Sequence, residues 1–392
     1  MSTVLMALGV WTALGILWWM LAALVVVRAN RMRSASVKRP AGAAGRISIF
    51  KPIPSSLGDR EFGVVCACLE TFVADLDADS ELLLGAREPE GESLHAFIEE
   101  MRERYPDAHI ELLIDSIGAT RMHPKVAWNE KLSKIATGDW WLWSDADMRA
   151  PTGTLRSLRA DVADDAGMVT SPYIVTGSPQ PADMLDTLFV NLEFYPGAEL
   201  LGRAGALRGG FGAGMLFAAE DFRREVDWHE LGSHLAEDFV LGTRLAPVRL
   251  ASTRLSTVPS SSTWSEALLH YLRWQKTIRW CQPAGFASQL IVLPVIGWLA
   301  WIASNPGNAT AWAGIGFVLL ADTSAALVIN RLLGCRIGLR QLLIIPCWSI
   351  LRGLTWAACW LPWPVVWRGK RWWTARLYDP SDTTSPQPEA TK

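Results

Sequence analysis

Hydrophobic and polar positions fall into distinct blocks along the 392-residue chain. Residues 1 to 27 carry no charged side chain, and Val4 to Val27 is long enough to cross a hydrocarbon core as one helix. From about residue 46 to 260, short apolar runs alternate with helical patterns, which predicts a mostly parallel sheet. The predicted strands are Ile47 to Phe50, Leu82 to Gly85, Ile110 to Ile114, Trp140 to Ser144 and Met168 to Ser171. Helices are predicted over Asp59 to Ala74, Ser93 to Tyr105, Pro124 to Thr137 and Thr152 to Asp161. Trp264 to Trp280 has the pattern of an amphipathic helix lying along a bilayer surface.

Charge is absent again from Cys281 to Ala321. Apolar stretches at Phe286 to Ser304 and Ala311 to Ile329 flank Asn305-Pro306-Gly307-Asn308, which predicts a two-helix transmembrane hairpin. The last apolar stretch, Leu342 to Trp367, holds Arg352 near its middle and Pro346, Pro362 and Pro364, between basic flanks. That combination predicts a re-entrant or interfacial segment returning to its starting side, with a full crossing as the alternative. The chain thus divides into an anchor (1–28), an α/β domain (45–262), an interfacial helix (263–283), a membrane region (284–368) and a polar, disordered tail (379–392).

Charge refines this picture. Arg28, Arg31, Arg33, Lys38, Arg39, Arg46 and Lys51 all precede the first acidic residue, Asp59. The positive-inside bias therefore places this flank and the domain after it in the cytoplasm, against anionic headgroups. No basic start or small-residue cleavage site accompanies the first apolar segment, so it is expected to be a retained anchor. A formal net charge of −2 argues against a general nucleic-acid binder. The six cysteines are scattered and Cys66-Ala67-Cys68 lacks zinc spacing, so reduced thiols are expected. No G-x-G-x-x-G or P-loop pattern follows any predicted strand, which removes support for a dinucleotide or ATP fold.

The chemistry centres on Trp140-Trp141-Leu142-Trp143-Ser144-Asp145-Ala146-Asp147, an apolar run ending in two carboxylates. At the carboxyl end of a buried strand, Asp145 and Asp147 offer two hard oxygen ligands for Mg²⁺ or Mn²⁺ against a diphosphate. A helix cap or a turn is the plain alternative for such a pair. Lys125, in the first turn of a predicted helix, is either a phosphate partner or a solvated surface lysine. Gly209-Gly210-Phe211-Gly212-Ala213-Gly214 permits a close backbone approach to a ligand, or a tight turn. Glu237 reads as a helix-dipole partner, while Asp238 is a candidate general base for a hydroxyl nucleophile. Gln275 and Arg279, four apart, share a helix face; Arg279 is a candidate diphosphate clamp and Trp280 a stacking platform, with plain interfacial anchoring as the alternative.

In order, the chain carries Phe50-Lys51-Pro52, His123-Pro124-Lys125 with Asn129, Ser144-Asp145-Ala146-Asp147, Gly212-Ala213-Gly214-Met215 and Glu237-Asp238-Phe239. Gln275-Lys276-Thr277-Ile278-Arg279-Trp280 and Trp367-Arg368-Gly369-Lys370 complete the series. Together these resemble the membrane-anchored family 2-type glycosyltransferases, most closely the ceramide glucosyltransferase branch with its bacterial relatives in hopanoid and glycolipid synthesis. The resemblance implies a GT-A-type, Rossmann-like nucleotide-sugar domain with an N-terminal transmembrane helix, in an integral protein of a bacterial-type inner membrane. It further implies a UDP-sugar donor, UDP-glucose first, a membrane lipid acceptor and a divalent Mg²⁺ or Mn²⁺.

Carried over by residue, the resemblance makes Asp147 the metal and diphosphate ligand with Asp145 beside it, and Asp238 the catalytic base. Lys51 and Lys125 would meet the donor, and Gln275, Arg279 and Trp280 would form a Q-x-x-R-W-like element. The chain departs from the family in two places. One extra residue separates Gln275 from Arg279, and Arg87-Glu88-Pro89-Glu90-Gly91-Glu92 stands where the family has an aspartate-rich turn, so that Glu88 or Glu90 would take its role. The rival readings are a processive polysaccharide synthase of the same superfamily, a lipid phosphotransferase and a non-catalytic membrane scaffold.

Overall fold

The structure, a computed structural model, describes residues 2–36, 45–116, 122–162, 167–177, 180–258, 263–367 and 370–376. The tail read as disordered (379–392), and Arg368 and Gly369 of the last motif, lie outside the described residues. The chain forms two compact units. One comprises residues 31–174, 198–260 and 375–392 and holds the main sheet; the other comprises residues 1–30, 175–197 and 261–374 and is helical.

In chain order, the strands of the first unit begin with β1 (Ile47–Pro52), β2 (Ser80–Ala86), β3 (Ile110–Ile114), β4 (Trp140–Trp143) and β5 (Met148–Arg149). They continue with β6 (Met168–Thr170), β7 (Tyr173–Val175, at the unit boundary), β8 (Met215–Ala218), β9 (Val248–Leu250) and β10 (Leu255–Thr257). Seven of them make one sheet in the order β3-β2-β1-β4-β8-β6-β9, and β5, β10 and β7 make a second. Within the large sheet, β8 alone runs against its neighbours β4 and β6. All five strands predicted from the apolar runs are present.

Every residue of β1 and β2 is buried, as expected of parallel strands covered on both faces. β4 shows how the Trp-rich run is used. Its side chains alternate, so Leu142 packs with Ile49, Leu84 and Leu69 on one face, while Trp141 and Trp143 join Phe50, Phe217 and Phe222 on the other. Ring centroids there are 5.3 Å apart for Trp143 with both Phe217 and Phe222. β2 lies on one side of β1 and β4 on the other, so the order reverses between β1 and β4. The carboxyl ends of those two strands therefore border the crevice in which open α/β sheets bind ligands.

The helical unit opens with the helix Ser2–Ser36, of which Thr3–Arg33 is long and apolar enough to cross a membrane, as is Ala309–Leu332. The predicted stretch Phe286 to Ser304 is not one straight helix. It breaks at Leu293-Pro294 into two pieces bent by 63°, because a proline within a helix lacks the N–H its neighbours need and clashes with the preceding turn. Residues 342–367 hold the helix Ile344–Ala358 and then β11 (Val365–Trp367), which pairs with β12 (Lys370–Trp372) just beyond them. At 15 residues that helix reaches about 22 Å, short of the roughly 30 Å of a hydrocarbon core.

Several polar groups buried among these helices are paired. Asp322 accepts a hydrogen bond from Trp19 Nε1 at 2.7 Å and another from Ser349 Oγ. Arg352 lies 3.3 Å from Glu193 and 4.0 Å from Asp322, donates to the Val292 carbonyl at 3.1 Å and stacks 4.9 Å over the Trp19 ring. Trp298 Nε1 donates to Thr12 Oγ1 at 2.9 Å. The charge in the middle of the last apolar stretch is thus held by carboxylates of its own unit, as buried ions in apolar surroundings require.

Candidate active site

The Ser144-Asp145-Ala146-Asp147 segment leaves β4 at the switch point. The Asp145 N–H donates to the Gly212 carbonyl at 3.1 Å, and Ser144 Oγ donates to the Ala213 carbonyl at 2.5 Å, so the segment is bound to the glycine-rich loop that leads into β8. Met148 N–H donates back to the Asp145 carbonyl at 3.3 Å, closing a turn that leaves Asp147 exposed. Thr257 Oγ1 lies 3.4 Å from Asp147 Oδ2.

The same loop organises Asp238, at the start of the helix Glu237–Arg244. Asp238 Oδ2 accepts from the Gly212 N–H at 2.9 Å, Oδ1 accepts from the Phe239 N–H at 2.8 Å, and the Gly210 N–H donates to the Asp238 carbonyl at 3.0 Å. Gly212 stands where the groups converge. A Cβ added there would lie 3.0 Å from Asp145 Oδ2, 3.0 Å from Lys125 Nζ and 3.5 Å from Asp238 Oδ2. Two carboxylates and an ammonium thus surround one point, and a Cβ at residue 212 would crowd Asp145 and Lys125.

Lys125 enters from the helix Pro124–Leu132, whose first position is the proline that such a start favours. Its ammonium lies 2.6 Å from Asp145 Oδ1 and 3.1 Å from Glu237 Oε1. Burial works against its charge, but Asp145 and then Glu237 outweigh it and hold the ammonium protonated. Glu237, read from sequence as a helix-dipole partner, is buried and has a second neighbour in His123 Nε2 at 3.5 Å. Burial pushes Glu237 upward, yet Lys125 and His123 bring it below the ordinary glutamate range. Asp238 moves the other way: burial, and then the Glu237 charge beside it, raise its carboxyl to about 7.

Lys51, at the carboxyl end of β1, is fully buried, with Nζ donating to the Asp145 carbonyl and to Ser144 Oγ. Glu88 and Glu90 occupy the first turn of the helix Glu88–Arg104, which follows β2 at the same sheet edge. Glu88 is exposed, and Glu90 Oε1 accepts from the Ser56 N–H at 2.5 Å. Gln275, Arg279 and Trp280 belong to the helical unit, on the helix Trp264–Cys281. Gln275 is buried, and the Arg279 guanidinium lies 5.3 Å over the Trp360 ring.

Among the described residues no group of three or more His, Cys, Asp or Glu side chains is placed to hold a metal ion. An ion at this site would therefore rest on the Asp145 and Asp147 carboxylates and complete its shell with phosphate oxygens and water. Mg²⁺ is commonly held in that way, and Mn²⁺ suits the same oxygen donors, so the residues fit such an ion.

The chain is a glycosyltransferase built on a parallel-rich α/β sheet, and GT-A glycosyltransferases are among the solved structures similar to it. The model of glycosyl transferase family 21, a ceramide glucosyltransferase-like family, matches residues 10–375, and the chain belongs to that family. No curated protein matches the sequence. One solved structure similar to the chain is the mannosyltransferase PcManGT from Pyrobaculum calidifontis in complex with GDP-Man and Mn²⁺, at 15 % identity and a TM-score of 0.47, covering 88 % of this chain and 98 % of that one. Another is GalNAc-T7 with UDP, GalNAc and Mn²⁺, at 12 % identity and a TM-score of 0.40, covering 62 % of this chain and 51 % of that one.

Proposed function

We propose that the protein is an inverting hexosyltransferase that moves a sugar, glucose first, from a UDP-sugar to the hydroxyl of a membrane lipid such as ceramide or a hopanoid. The observation that carries this reading is the convergence of Asp145, Lys125 and Asp238 on Gly212 at the switch point. Family membership supports sugar transfer, and the two long apolar helices support a lipid acceptor at a membrane. The basic flank after the first helix supports a cytoplasmic catalytic unit.

Transfer forms a bond from the acceptor oxygen to the anomeric carbon, breaks the bond from that carbon to the diphosphate, and delivers the acceptor proton to a base. Asp238 takes that proton on a carboxylate oxygen, and its raised affinity for protons matches the task near neutrality. Asp145 and Asp147 would hold the divalent ion, which when bound supplies positive charge against the departing diphosphate. Lys125 keeps Asp145 and Glu237 in register and offsets the crowding of negative charge around Asp238.

Two measurements test these assignments. Membranes containing the protein, incubated with labelled UDP-sugars, should yield a lipid carrying one hexose. Long labelled polymer would point to a synthase, and CMP release without consumption of a UDP-sugar would point to a phosphotransferase. The second concerns pH: Glu237→Gln removes the like charge next to Asp238, so the acid limb of the kcat/KM profile should move to lower pH by on the order of one unit. An unmoved limb would contradict the coupling of these two carboxyl groups.

A further inference from the structure

We infer that Lys51 is a positioning residue which, with Cys68, clamps the backbone of the Asp145–Asp147 turn from its buried side and so sets how the two carboxylates face a diphosphate. The inference rests on the proposed donor chemistry of that turn. It adds two residues that touch neither solvent nor donor: both have a relative exposure of 0 %.

The geometry is a grip at both ends of the turn. Lys51 Nζ donates to the Asp145 carbonyl at 2.7 Å and to Ser144 Oγ at 2.9 Å, and lies 3.6 Å from the centroid of the Phe72 ring. Cys68 Sγ, from the helix Asp59–Val73, donates to the Asp147 carbonyl at 3.2 Å. Both donors take main-chain oxygens, which leaves the two carboxylates to point elsewhere. Ser144 passes the grip on, because its hydroxyl donates to the Ala213 carbonyl, next to the Gly212 N–H that holds Asp238. One buried ammonium therefore links the placement of the metal-binding turn to that of the base.

A lysine is a costly way to fill this space. An ammonium withdrawn from water is disfavoured unless its donors are used, and a methionine of similar length would fill the site without that penalty. Burial accordingly lowers Lys51 to about 7. What the ammonium supplies, and a methyl group does not, is a fixed pair of hydrogen bonds and the electrostatic pull on a ring face. A turn whose carboxylates must meet an ion at defined positions gains from such support, since partners behind metal ligands commonly influence affinity by 10- to 100-fold.

The test uses the full-length protein in detergent and measures UDP binding by calorimetry with and without Mn²⁺, together with the thermal midpoint. For Lys51→Met the expected result is Mn²⁺-dependent UDP binding weakened roughly tenfold or more, with the weaker binding that needs no metal unchanged. A lysine touching the phosphate itself would weaken both, and a purely structural lysine would lower the midpoint while leaving both affinities of the folded protein intact. Either result overturns the inference. Cys68→Ala is the milder second variant, expected to weaken Mn²⁺-dependent binding a few-fold, with Cys68→Ser restoring it through a hydroxyl donor; equality of Cys68→Ala with the parent protein overturns the clamp even if Lys51→Met does not fold. If the parent protein binds no UDP with Mn²⁺ present, the donor assignment falls, whereas a parent that binds beside unaffected variants removes the clamp alone.

Discussion

Asp238→Asn is expected to lower kcat by about 10²- to 10⁴-fold, the usual cost of removing a positioned general base, while nucleotide-sugar binding stays measurable. Asparagine keeps the size of the side chain, and its one carbonyl oxygen can accept from either the Gly212 or the Phe239 N–H, which the carboxylate takes on separate oxygens. What it lacks is a site for the acceptor proton. The same substitution carries a second expectation of opposite sign. Folding raises the Asp238 carboxyl from 3.8 to about 7, so the folded protein binds this proton more tightly than the unfolded chain does. The stabilisation it contributes is full below the unfolded value and is lost as pH climbs through about 7. At neutral or alkaline pH the neutral asparagine relieves that cost, and Tm should rise by roughly 2 to 4 °C per kcal/mol relieved. A fully active variant would remove the base assignment, and a Tm difference from the parent that does not grow in the variant's favour as pH climbs through about 7 would remove the electrostatic one.

Asp147→Ala is expected to act on binding. Asp147 is the exposed carboxylate of the turn, whereas Asp145 is partly buried beside the Lys125 ammonium. Its loss should weaken Mn²⁺ and UDP binding together by at least about 10²-fold, the upper end of what mere outer-shell partners contribute. Calorimetry with and without Mn²⁺ reads this directly. Donor affinity that falls equally in the absence of the ion would show Asp147 to be a direct ligand of the nucleotide.

The parallel strands were legible because burial on both faces demands continuous apolar runs, as in Ile47–Phe50 and Trp140–Trp143. β8 and β9 were not. Met215–Ala218 follows a glycine-rich stretch that reads equally well as a turn, and in Val248–Leu250 the charged Arg249 interrupts the apolar run. At the site, Asp145, Asp147 and Asp238 could be picked out only through the order and spacing of their motifs along the chain, because an acid after an apolar run or at a helix start serves equally well as a cap or a dipole partner. Glu237 could not, since its role depends on Lys125 and His123 reaching it from another helix, and no local spacing records that. Cys68 left one trace: with Val65, Leu69 and Phe72 it falls on the buried face of its helix, a periodicity that marks it as interior but does not reveal the carbonyl it meets. The break before Pro294 was signalled by the proline itself within an otherwise convincing apolar span.

The pairing of Trp19 with Asp322, of Thr12 with Trp298 and of Asn30 with the Leu332 carbonyl means that the first helix is more than a leash. A fragment trimmed to begin at the sheet, the customary route to a secretable or crystallisable enzyme, would take one donor from Asp322 and leave the Trp298 indole and the Leu332 carbonyl without these partners. Grafting an unrelated hydrophobic leader in its place would restore attachment to the bilayer but not those bonds, so the native leader has to be treated as part of the folded body.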